Sequence, residues 1–322
     1  MSDKKILLSG MQPSGKMHIG NYLGALRQFV ELYPSYDSLF MIADYHALTS
    51  LRRADQLRAN IMEVAKDYLA IGLDPEKVVI FQQSDVPEHA ELTWIFNCLV
   101  TVPFLMQAHA FKDKQSKGLE ANVGLFDYPM LMAADILIYG TDVVPVGQDQ
   151  RQHVEYAREA ASKFNLAFGP VFKEPAEYIM ENVAIIPGID GRKMSKSYGN
   201  TIPLFGTDEE IKTAVANIKT DSTPKGQPMD KDKDTVFALH RHFSQKDLPD
   251  LEKNYQEGSI GYQESKNLLA ENILNMIRPL RDRRDAISDK KVIDILKTGG
   301  EKARERAEEK MRVVRKAVGV TL

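Results

Sequence analysis

The sequence predicts an α/β protein built on a doubly wound parallel sheet, followed by an all-helical C-terminal region. Three short apolar runs rich in β-forming residues are typical of buried parallel strands: Lys4–Ser9, Ser38–Asp44 and Lys77–Gln83. Helical patterns separate these runs, and a strand that alternates with a helix favours a parallel sheet covered by helices. In such sheets, ligands bind at the carboxyl ends of the strands. We therefore expect the functional site at that edge.

The segments between and after the strands have the periodicity of amphipathic helices. One helix is expected from about Ile19 to Leu32. A second carries an apolar stripe from Leu57 to Ile71 and is expected to stop at Gly72. Thr207 and Glu210 have the spacing of a capping box, which predicts the start of the helical tail.

Composition excludes several kinds of site. The chain has 322 residues, of which 43% are hydrophobic, enough for a large buried core. Cys98 is the only cysteine, so neither an internal disulfide nor a thiolate zinc site can form, and any metal is expected to arrive with a substrate. The sequence lacks a signal-peptide pattern and an apolar run of the ~20 residues that a spanning helix needs. A cytoplasmic protein is the resulting expectation.

The net charge of −3 argues against a uniformly basic coat for nucleic acid, although basic residues cluster near the C-terminus. The two clusters are Ile277–Asp285 and Lys302–Lys316. One interpretation is a polyanionic partner that docks on the C-terminal part. The other is a pair of solvated helix faces on which Glu and Arg pair with one another.

A glycine-rich stretch follows the first predicted strand and reads SGMQPSGKMHIGNYLGAL, residues Ser9–Leu26. Its glycines and proline predict a sharp turn into a helix whose first N–H groups can cradle a phosphate or nucleotide. It is neither the G-x-G-x-x-G motif nor a Walker loop. His18 and Asn21 can hydrogen-bond a phosphate or ribose oxygen, or they can simply be a satisfied turn histidine and a helix cap.

A second glycine-rich loop, Pro187–Asn200, reads PGIDGRKMSKSYGN. It places Lys193 and Lys196 between Gly191 and Gly199. Two ammonium groups on a flexible loop can close on a polyphosphate and neutralise the charge that develops when a phosphoryl linkage breaks. Taken alone, the same residues also fit a solvated basic loop.

An acidic residue interrupts an apolar helix pattern between residues 128 and 139. Tyr128, Met132 and Asp135 lie one above another at helical spacing. An acid on an apolar face needs a partner. A buried ion pair with a nearby lysine is one interpretation, and a bound ligand that donates a hydrogen bond is the other.

Together, the two loops resemble the paired signatures of the class I aminoacyl-tRNA synthetases. His18–Asn21 matches the first signature, with Asn21 where many members carry a second histidine, and Lys193–Ser197 matches the second. The blocks DYHALT, FKDK, GLFDYPxLMAADIL and VPVGxDQxQH follow in the order and at the spacing of bacterial tryptophanyl enzymes. The resemblance covers nearly the whole chain.

This resemblance implies a nucleotide site, an amino-acid site and a set of catalytic residues. The implied ATP-binding residues are Gln12, Pro13, Ser14, His18, Gly20, Asn21, Gly147, Gln148, Asp149, Ile186, Lys193, Met194, Ser195, Lys196 and Ser197. The implied tryptophan-binding residues are Leu8, His46, Tyr128, Met132, Asp135 and Gln150. The implied catalytic residues are His18, Lys114, Lys193 and Lys196. Mg²⁺ is expected to be carried with ATP, and no metal is expected to be held by the protein itself.

In the family, the matching aspartate accepts the indole N–H, the methionine packs on the ring and the tyrosine holds the α-amino group. Indole has one donor and no acceptor, so an acceptor at the end of an apolar slot selects it over phenylalanine. Three positions depart from the commonest family pattern. Leu8 stands for an aromatic residue, Gln107 for an arginine and Gln148 for a glutamate.

The resemblance also implies a Rossmann-type sheet and a division of the chain into four segments. Residues 1–104 are expected to form the first part of a Rossmann catalytic domain, and 105–177 a mainly helical insertion that carries part of the amino-acid pocket. Residues 178–206 are expected to complete the Rossmann domain with the second loop. Residues 207–322 are expected to form a helical domain that binds the tRNA anticodon.

The implied activity is tryptophan–tRNA ligation by a homodimer whose partners are ATP, L-tryptophan and tRNA(Trp). Two alternatives stay open at this point. One is a tyrosyl-tRNA synthetase, against which the LMAADIL and VPVGQDQ blocks favour tryptophan. The other is a non-catalytic paralogue that binds tryptophan or nucleotide as a sensor, and ATP–pyrophosphate exchange distinguishes it from an enzyme.

Overall fold

A computed structural model describes residues 4–108, 111–112, 122–146, 151–179, 186–221 and 223–321. Within these residues, five parallel strands form one sheet in the order β3-β2-β1-β4-β5. The strands are β1 Ile6–Met11, β2 Asp37–Ile42, β3 Val79–Gln82, β4 Val143–Val146 and β5 Ala176–Ile179. The strand order reverses between β1 and β4, which is the topological switch point where doubly wound sheets bind ligands. The predicted fold class is confirmed.

Helices connect the strands and make up the C-terminal part. The predicted helix near residues 19–32 consists of α1 Ile19–Asn21, a π-helical turn Tyr22–Leu26 and α2 Arg27–Leu32. The others are α3 Asp44–Ala47, α4 Ala54–Ile71, α5 Glu88–Asn97, α6 Val102–Leu105, α7 Val123–Ile138, α8 Arg151–Phe168, α9 Asp208–Ala216, α10 Thr235–Phe243, α11 Leu248–Glu257, α12 Tyr262–Asp285 and α13 Asp289–Val318. Among the described residues, no helix combines the length and apolarity needed to cross a membrane.

Local sequence signals account for the ends of several helices. Helix α4 ends at Gly72, which adopts the left-handed conformation at φ 111° that glycine tolerates best. Thr207 caps α9 through its hydroxyl oxygen, and the Glu210 side chain accepts a hydrogen bond from the Thr207 N–H at 2.7 Å. The predicted capping box is therefore confirmed.

The chain divides into two compact units. The first comprises Met1–Gly15, Phe29–Glu181 and Ser288–Leu322 and contains the sheet. Its core joins residues of the sheet to residues of α5, α7, α8 and α13, such as Leu39, Phe81, Phe96, Met130 and Met311. The second unit comprises Lys16–Gln28 and Asn182–Ile287 and contains helices α9 to α12.

These units differ from the predicted segments. The helix α13 belongs to the unit that contains the sheet rather than to a single domain over residues 207–322. The segment 186–206 groups with the helices α9 to α12 and not with the sheet. In addition, β4 and the first residues of β5 lie inside the predicted helical insertion 105–177. Within the segment 178–206, residues 180–185 lie outside the described residues, and residues 186–188 belong to none of the named strands.

A glycine pair explains why α13 packs closely on β3. A Cβ atom placed on Gly299 would lie 1.8 Å from the carbonyl oxygen of Ile80, and one on Gly300 would lie 2.9 Å from the Asp85 side chain. Only glycine allows the helix and strand backbones to approach to this distance. The helical pattern of the tail alone does not indicate this approach, which is why the predicted domain boundary differs.

Basic residues of the two clusters near the C-terminus form ion pairs with acidic residues of the same protein. Arg278 and Arg281 both bind the carboxylate of Asp208, at 2.6 and 2.7 Å, and together they hold the pKa of Asp208 at about 2. Arg315 binds Glu91 at 2.6 Å. These contacts favour the interpretation in which the charges pair with one another over the interpretation of a surface left open for a polyanion.

We predict that Gly299→Ala destabilises the protein although alanine is the better helix former. The propensity gain is about 1 kcal/mol, whereas a methyl group forced against a strand backbone costs about 1–3 kcal/mol or more. Thermal unfolding should show a lower midpoint for Gly299→Ala. The matched control is Gly124→Ala in α7, where the nearest atom to a new Cβ is 3.4 Å away. Equal midpoints for the two variants would contradict the close packing of α13 on β3.

Candidate active site

The turn after β1 places the QPS residues at the carboxyl edge of the sheet. The Ser14 N–H donates to the Gln12 carbonyl at 2.8 Å, and the Asn60 side chain donates to the Pro13 carbonyl at 2.9 Å. Pro13 is buried, while Gln12 and Ser14 are exposed. The first part of the predicted nucleotide loop is therefore a fixed turn with exposed polar side chains beside the switch point.

His18 and Asn21 cap each other at the start of α1. The His18 N–H donates to Asn21 Oδ1 at 3.1 Å, and the Asn21 N–H donates to His18 Nδ1 at 3.3 Å. The cap interpretation of these two residues is thus correct. It also fixes the tautomer: because Nδ1 accepts, a neutral His18 ring carries its proton on Nε2. That N–H is the donor His18 would offer to a ligand.

The His18 ring is uncharged at neutral pH. Burial lowers the pKa of His18 to about 4, and the positive charge of Lys196 adds to this effect. A Cβ atom on Gly20 would lie 2.9 Å from His18 Nδ1 and 3.3 Å from the Met194 Cβ. Glycine at position 20 therefore lets the imidazole and the methionine of the second loop pack against the start of the helix.

Backbone hydrogen bonds join the first motif to the segment just after the second loop. The Ile19 N–H donates to the Ile202 carbonyl, and the Leu204 N–H donates to the Met17 carbonyl, both at 3.0 Å. The two signature motifs, about 175 residues apart in sequence, consequently belong to one compact unit.

The side chain of Asn200 fixes the conformation of the second loop through hydrogen bonds. Its side-chain amide donates to Asp190 Oδ1 at 2.7 Å and to the Lys193 carbonyl at 3.1 Å, while its Oδ1 accepts from the Ser195 N–H at 2.8 Å. The hydrogen bond from Asn200, assisted by Arg192, holds the pKa of Asp190 at about 2. Asn200 and Asp190 are positioning residues that motif matching missed, although both lie within the quoted loop sequence.

The functional side chains of the second loop divide into buried and exposed groups. Met194 is buried, and its N–H donates to the carbonyl of Ile186 at 2.9 Å. Lys193 and Lys196 are exposed, and the hydroxyls of Ser195 and Ser197 lie 2.9 Å apart. The loop thus has a fixed base and carries two exposed ammonium groups.

Asp135 lies in the first unit at the centre of a buried polar cluster. The residue is only 1% exposed. Oδ2 accepts from His46 Nε2 at 2.8 Å, Oδ1 accepts from His89 Nδ1, and the amide of Gln83 donates to both oxygens at 2.8 and 3.0 Å. The partners are therefore two histidines and a glutamine rather than the lysine considered above.

These partners keep Asp135 ionised. Burial alone would raise its pKa, but the attraction of His89 and the hydrogen bonds of both histidines lower the pKa of Asp135 to about 2. An ionised carboxylate in an apolar surrounding is a strong acceptor. The arrangement suits recognition of a single N–H donor.

Met132 and Tyr128 lie on the same helix as Asp135, α7, about one and two turns before it. The Tyr128 hydroxyl lies 2.6 Å from His153 Nε2, and its ring lies edge-on to the ring of His46. Burial raises the pKa of Tyr128 to about 12, so its hydroxyl stays protonated. Met132 is half-buried against the core, and Leu8 is buried within it. The predicted tryptophan-binding residues Tyr128, His46 and Asp135 thus form one connected series.

Five predicted site residues lie outside the described residues: Lys114, Gly147, Gln148, Asp149 and Gln150. Gly147 to Gln150 directly follow β4 in the sequence. Across the described residues, no group of three or more His, Cys, Asp or Glu side chains could hold a metal ion.

Comparison with known proteins gives a consistent result. The model of the family tRNA synthetases class I (W and Y) matches residues 2–278. The Tryptophan–tRNA ligase of Fusobacterium nucleatum is 46% identical over 97% of both chains, and that of Rhodopirellula baltica is 45% identical over 93% of this chain and 94% of its own. This chain belongs to the bacterial tryptophanyl-tRNA synthetases.

A solved structure of the family shares the fold over almost the entire length. The tryptophanyl-tRNA synthetase of Campylobacter jejuni, in a complex with ADP and tryptophan, superposes with a TM-score of 0.91 at 40% identity, covering 98% of this chain and 99% of its own. Against this family background, Gln83, His89 and Tyr139 are the polar residues near Asp135 that motif matching missed. The polar run QSDVPEHAE, which follows the apolar strand β3, was the available signal.

We predict that His18 titrates far below an ordinary histidine. Its folded pKa of about 4 lies below the unfolded value of 6.5, so the unfolded chain binds the proton more readily. The stability that the neutral ring contributes is present above pH 6.5 and is lost as the pH falls toward 4. NMR titration of histidine Cε1 signals, with His18→Gln for assignment, measures this directly. A His18 midpoint near 6.5 would contradict the buried, Lys196-facing ring.

Proposed function

We propose that this protein is a tryptophan–tRNA ligase that activates L-tryptophan with ATP and transfers it to tRNA(Trp). Near-full-length identity of 40–46% to enzymes named Tryptophan–tRNA ligase carries this proposal. The ionised Asp135 supports the same choice of amino acid, because it offers an acceptor and no donor. A tyrosine hydroxyl can also donate, but the relatives favour the indole substrate.

The reaction has two steps, and neither needs a covalent nucleophile. The tryptophan carboxylate attacks the α-phosphorus of ATP, the bond to the bridging oxygen breaks, and pyrophosphate leaves to give tryptophanyl-adenylate. A hydroxyl of the terminal ribose of the tRNA then attacks the carbonyl carbon, and AMP leaves. Catalysis is positioning together with stabilisation of charge on the phosphates.

The loops of the second unit supply the groups for the nucleotide. Lys193 and Lys196 are exposed on a loop with a fixed base, and they neutralise the charge that develops on the phosphates. The His18 Nε2–H donates to a phosphate oxygen, and Lys114 assists, as the resemblance implies. Mg²⁺, carried with ATP as the resemblance implies, would supply further positive charge to the phosphates.

The residues along α7 supply the amino-acid site. Asp135 accepts the indole N–H, Met132 packs on the ring, and Tyr128 holds the α-amino group. The Asp135 carboxylate already contacts three donor nitrogens, one each from His46, His89 and Gln83. The indole N–H therefore shares a carboxylate oxygen with one of these donors.

The remaining partners are a second copy of the chain and tRNA. Trp94 is 70% exposed on α5, and Val102 of the following helix α6 and Met106 directly after that helix are also exposed. Such large apolar side chains favour a homodimer interface. Sedimentation velocity of Trp94→Glu should then show a shift toward monomer, and an unchanged dimer would rule out this face. The helical segment 207–322 binds the anticodon of tRNA(Trp), as the resemblance implies, and the reaction takes place in the cytoplasm.

ATP–pyrophosphate exchange with each of the twenty amino acids tests the proposed function. We expect exchange with tryptophan far above that with tyrosine or phenylalanine. Exchange with tyrosine alone would identify the tyrosyl alternative. The absence of exchange with every amino acid would identify the non-catalytic alternative.

We predict that Lys193→Ala and Lys196→Ala each lower the kcat of exchange by roughly 10-fold or more, with little change in tryptophan affinity. The physical reason is that the ammonium groups act on charge that develops in the transition state. Lys246→Ala, an exposed lysine of the same unit outside the loop, is the matched control and should leave kcat unchanged. Equal turnover in all three variants would contradict the assigned role of the loop.

A further inference from the structure

A second layer of buried polar groups lies behind Asp135, away from the tryptophan-binding residues described above. His89 at the start of α5 is fully buried, and its Nδ1 contacts Asp135 Oδ1. Its other ring nitrogen, Nε2, lies 2.6 Å from the hydroxyl of Tyr139 at the end of α7. His89 therefore joins the indole acceptor to a second buried hydroxyl through the two sides of one imidazole.

The protons in this series can be assigned from chemistry. The carboxylate of Asp135 is ionised, so it cannot donate, and the short contact requires that His89 Nδ1 carries a proton. Nε2 then shares a hydrogen bond with the Tyr139 hydroxyl, as the acceptor in a neutral imidazole and as the donor in an imidazolium. Burial and the neighbouring carboxylates Asp135 and Glu88 raise the pKa of Tyr139, so that hydroxyl keeps its proton.

Aromatic packing fixes the orientation of the imidazole. The ring of Tyr139 lies 5.5 Å from the ring of His89 and edge-on to it, and Phe81 of β3 stands edge-on to both rings at 6.3 and 5.7 Å. A ring held on two sides by aromatic side chains and at both nitrogens by hydrogen bonds has one orientation. This orientation determines the direction from which Asp135 Oδ1 receives its hydrogen bond.

Gln83 fixes the same carboxylate from another segment. Its amide donates to both oxygens of Asp135, while its Oε1 accepts from the backbone N–H of Tyr45 at 3.1 Å. The Gln83 side chain therefore has no rotational freedom about its last bond. Together, His89 and Gln83 determine the plane of the carboxylate.

We propose that His89, oriented by Tyr139, is a positioning residue for indole recognition, which holds the Asp135 carboxylate in the plane that meets the indole N–H. The inference rests on the proposed function and extends it to residues that do not contact the substrate. Without His89, Oδ1 loses a charge-assisted donor inside an apolar surrounding, and the carboxylate must turn or take up a proton. In either case it becomes a poorer acceptor for the ring N–H.

The test uses a substrate pair that differs only in the group that Asp135 recognises. L-tryptophan has an indole N–H, whereas β-(benzothiophen-3-yl)-L-alanine has a ring sulfur at the same place and no donor. The readout is the ratio of kcat/KM for the two amino acids in pyrophosphate exchange, with the KM for ATP measured alongside. A merely structural role for His89 would lower both amino acids equally and leave the ratio unchanged.

Three variants separate the contributions of the imidazole. His89→Leu removes both hydrogen bonds and should reduce the preference for tryptophan roughly 10-fold, with the KM for ATP unchanged. His89→Asn keeps an N–H donor near the position of Nδ1 and should restore most of the preference. Tyr139→Phe keeps the packing but frees Nε2, and should reduce the preference by a smaller factor.

The outcomes distinguish this inference from the proposed function. If the wild type fails to activate tryptophan, the proposed function is wrong. If the wild type prefers tryptophan and His89→Leu or Tyr139→Phe keeps the full preference, the positioning role of His89 is wrong. Should His89→Leu fail to fold, the ratios for His89→Asn and Tyr139→Phe still decide, because a Tyr139→Phe ratio equal to that of wild type would overturn the proposal.

Discussion

One buried carboxylate, that of Asp135, gathers side chains from three other segments of the first unit. His46 comes from the helix after β2, Gln83 from the end of β3 and His89 from the start of α5. Burying a single charge is costly, and removing one partner of a buried pair typically costs about 3–5 kcal/mol. The cluster is therefore a strict constraint, because the strand ends and α7 must meet at the place where all the donors converge.

The same constraint connects the fold to the proposed chemistry. The carboxyl ends of β2 and β3 meet α7 at an acceptor that is ionised and oriented before any ligand binds. Preorganisation of this kind reduces the cost of ordering the site when the substrate binds. In the second unit, Asn200 fixes the backbone from which Lys193 and Lys196 extend, and the His18 cap fixes the start of α1.

The sequence predicted the elements with strong local signals and missed contacts that depend on tertiary packing. The three N-terminal strands, the stop of α4 at Gly72 and the Thr207 cap follow from local pattern alone. His89 and Gln83 were missed because their polar segment has the sequence pattern of an ordinary loop. Only the tertiary fold places this segment against Asp135 of α7. The packing of α13 was missed because Gly299 interrupts a helix pattern without indicating which backbone approaches it.

The central claim is that the ionised Asp135 carboxylate recognises the indole N–H. The most direct measurement is pyrophosphate exchange by wild type and Asp135→Ala with tryptophan and with phenylalanine, whose ring has no donor to lose. The account predicts that kcat/KM for tryptophan falls on the order of 10²-fold, as expected for a hydrogen bond to a charged group, while phenylalanine loses much less. An unchanged tryptophan-to-phenylalanine ratio would contradict it and would make Asp135 a purely structural acid.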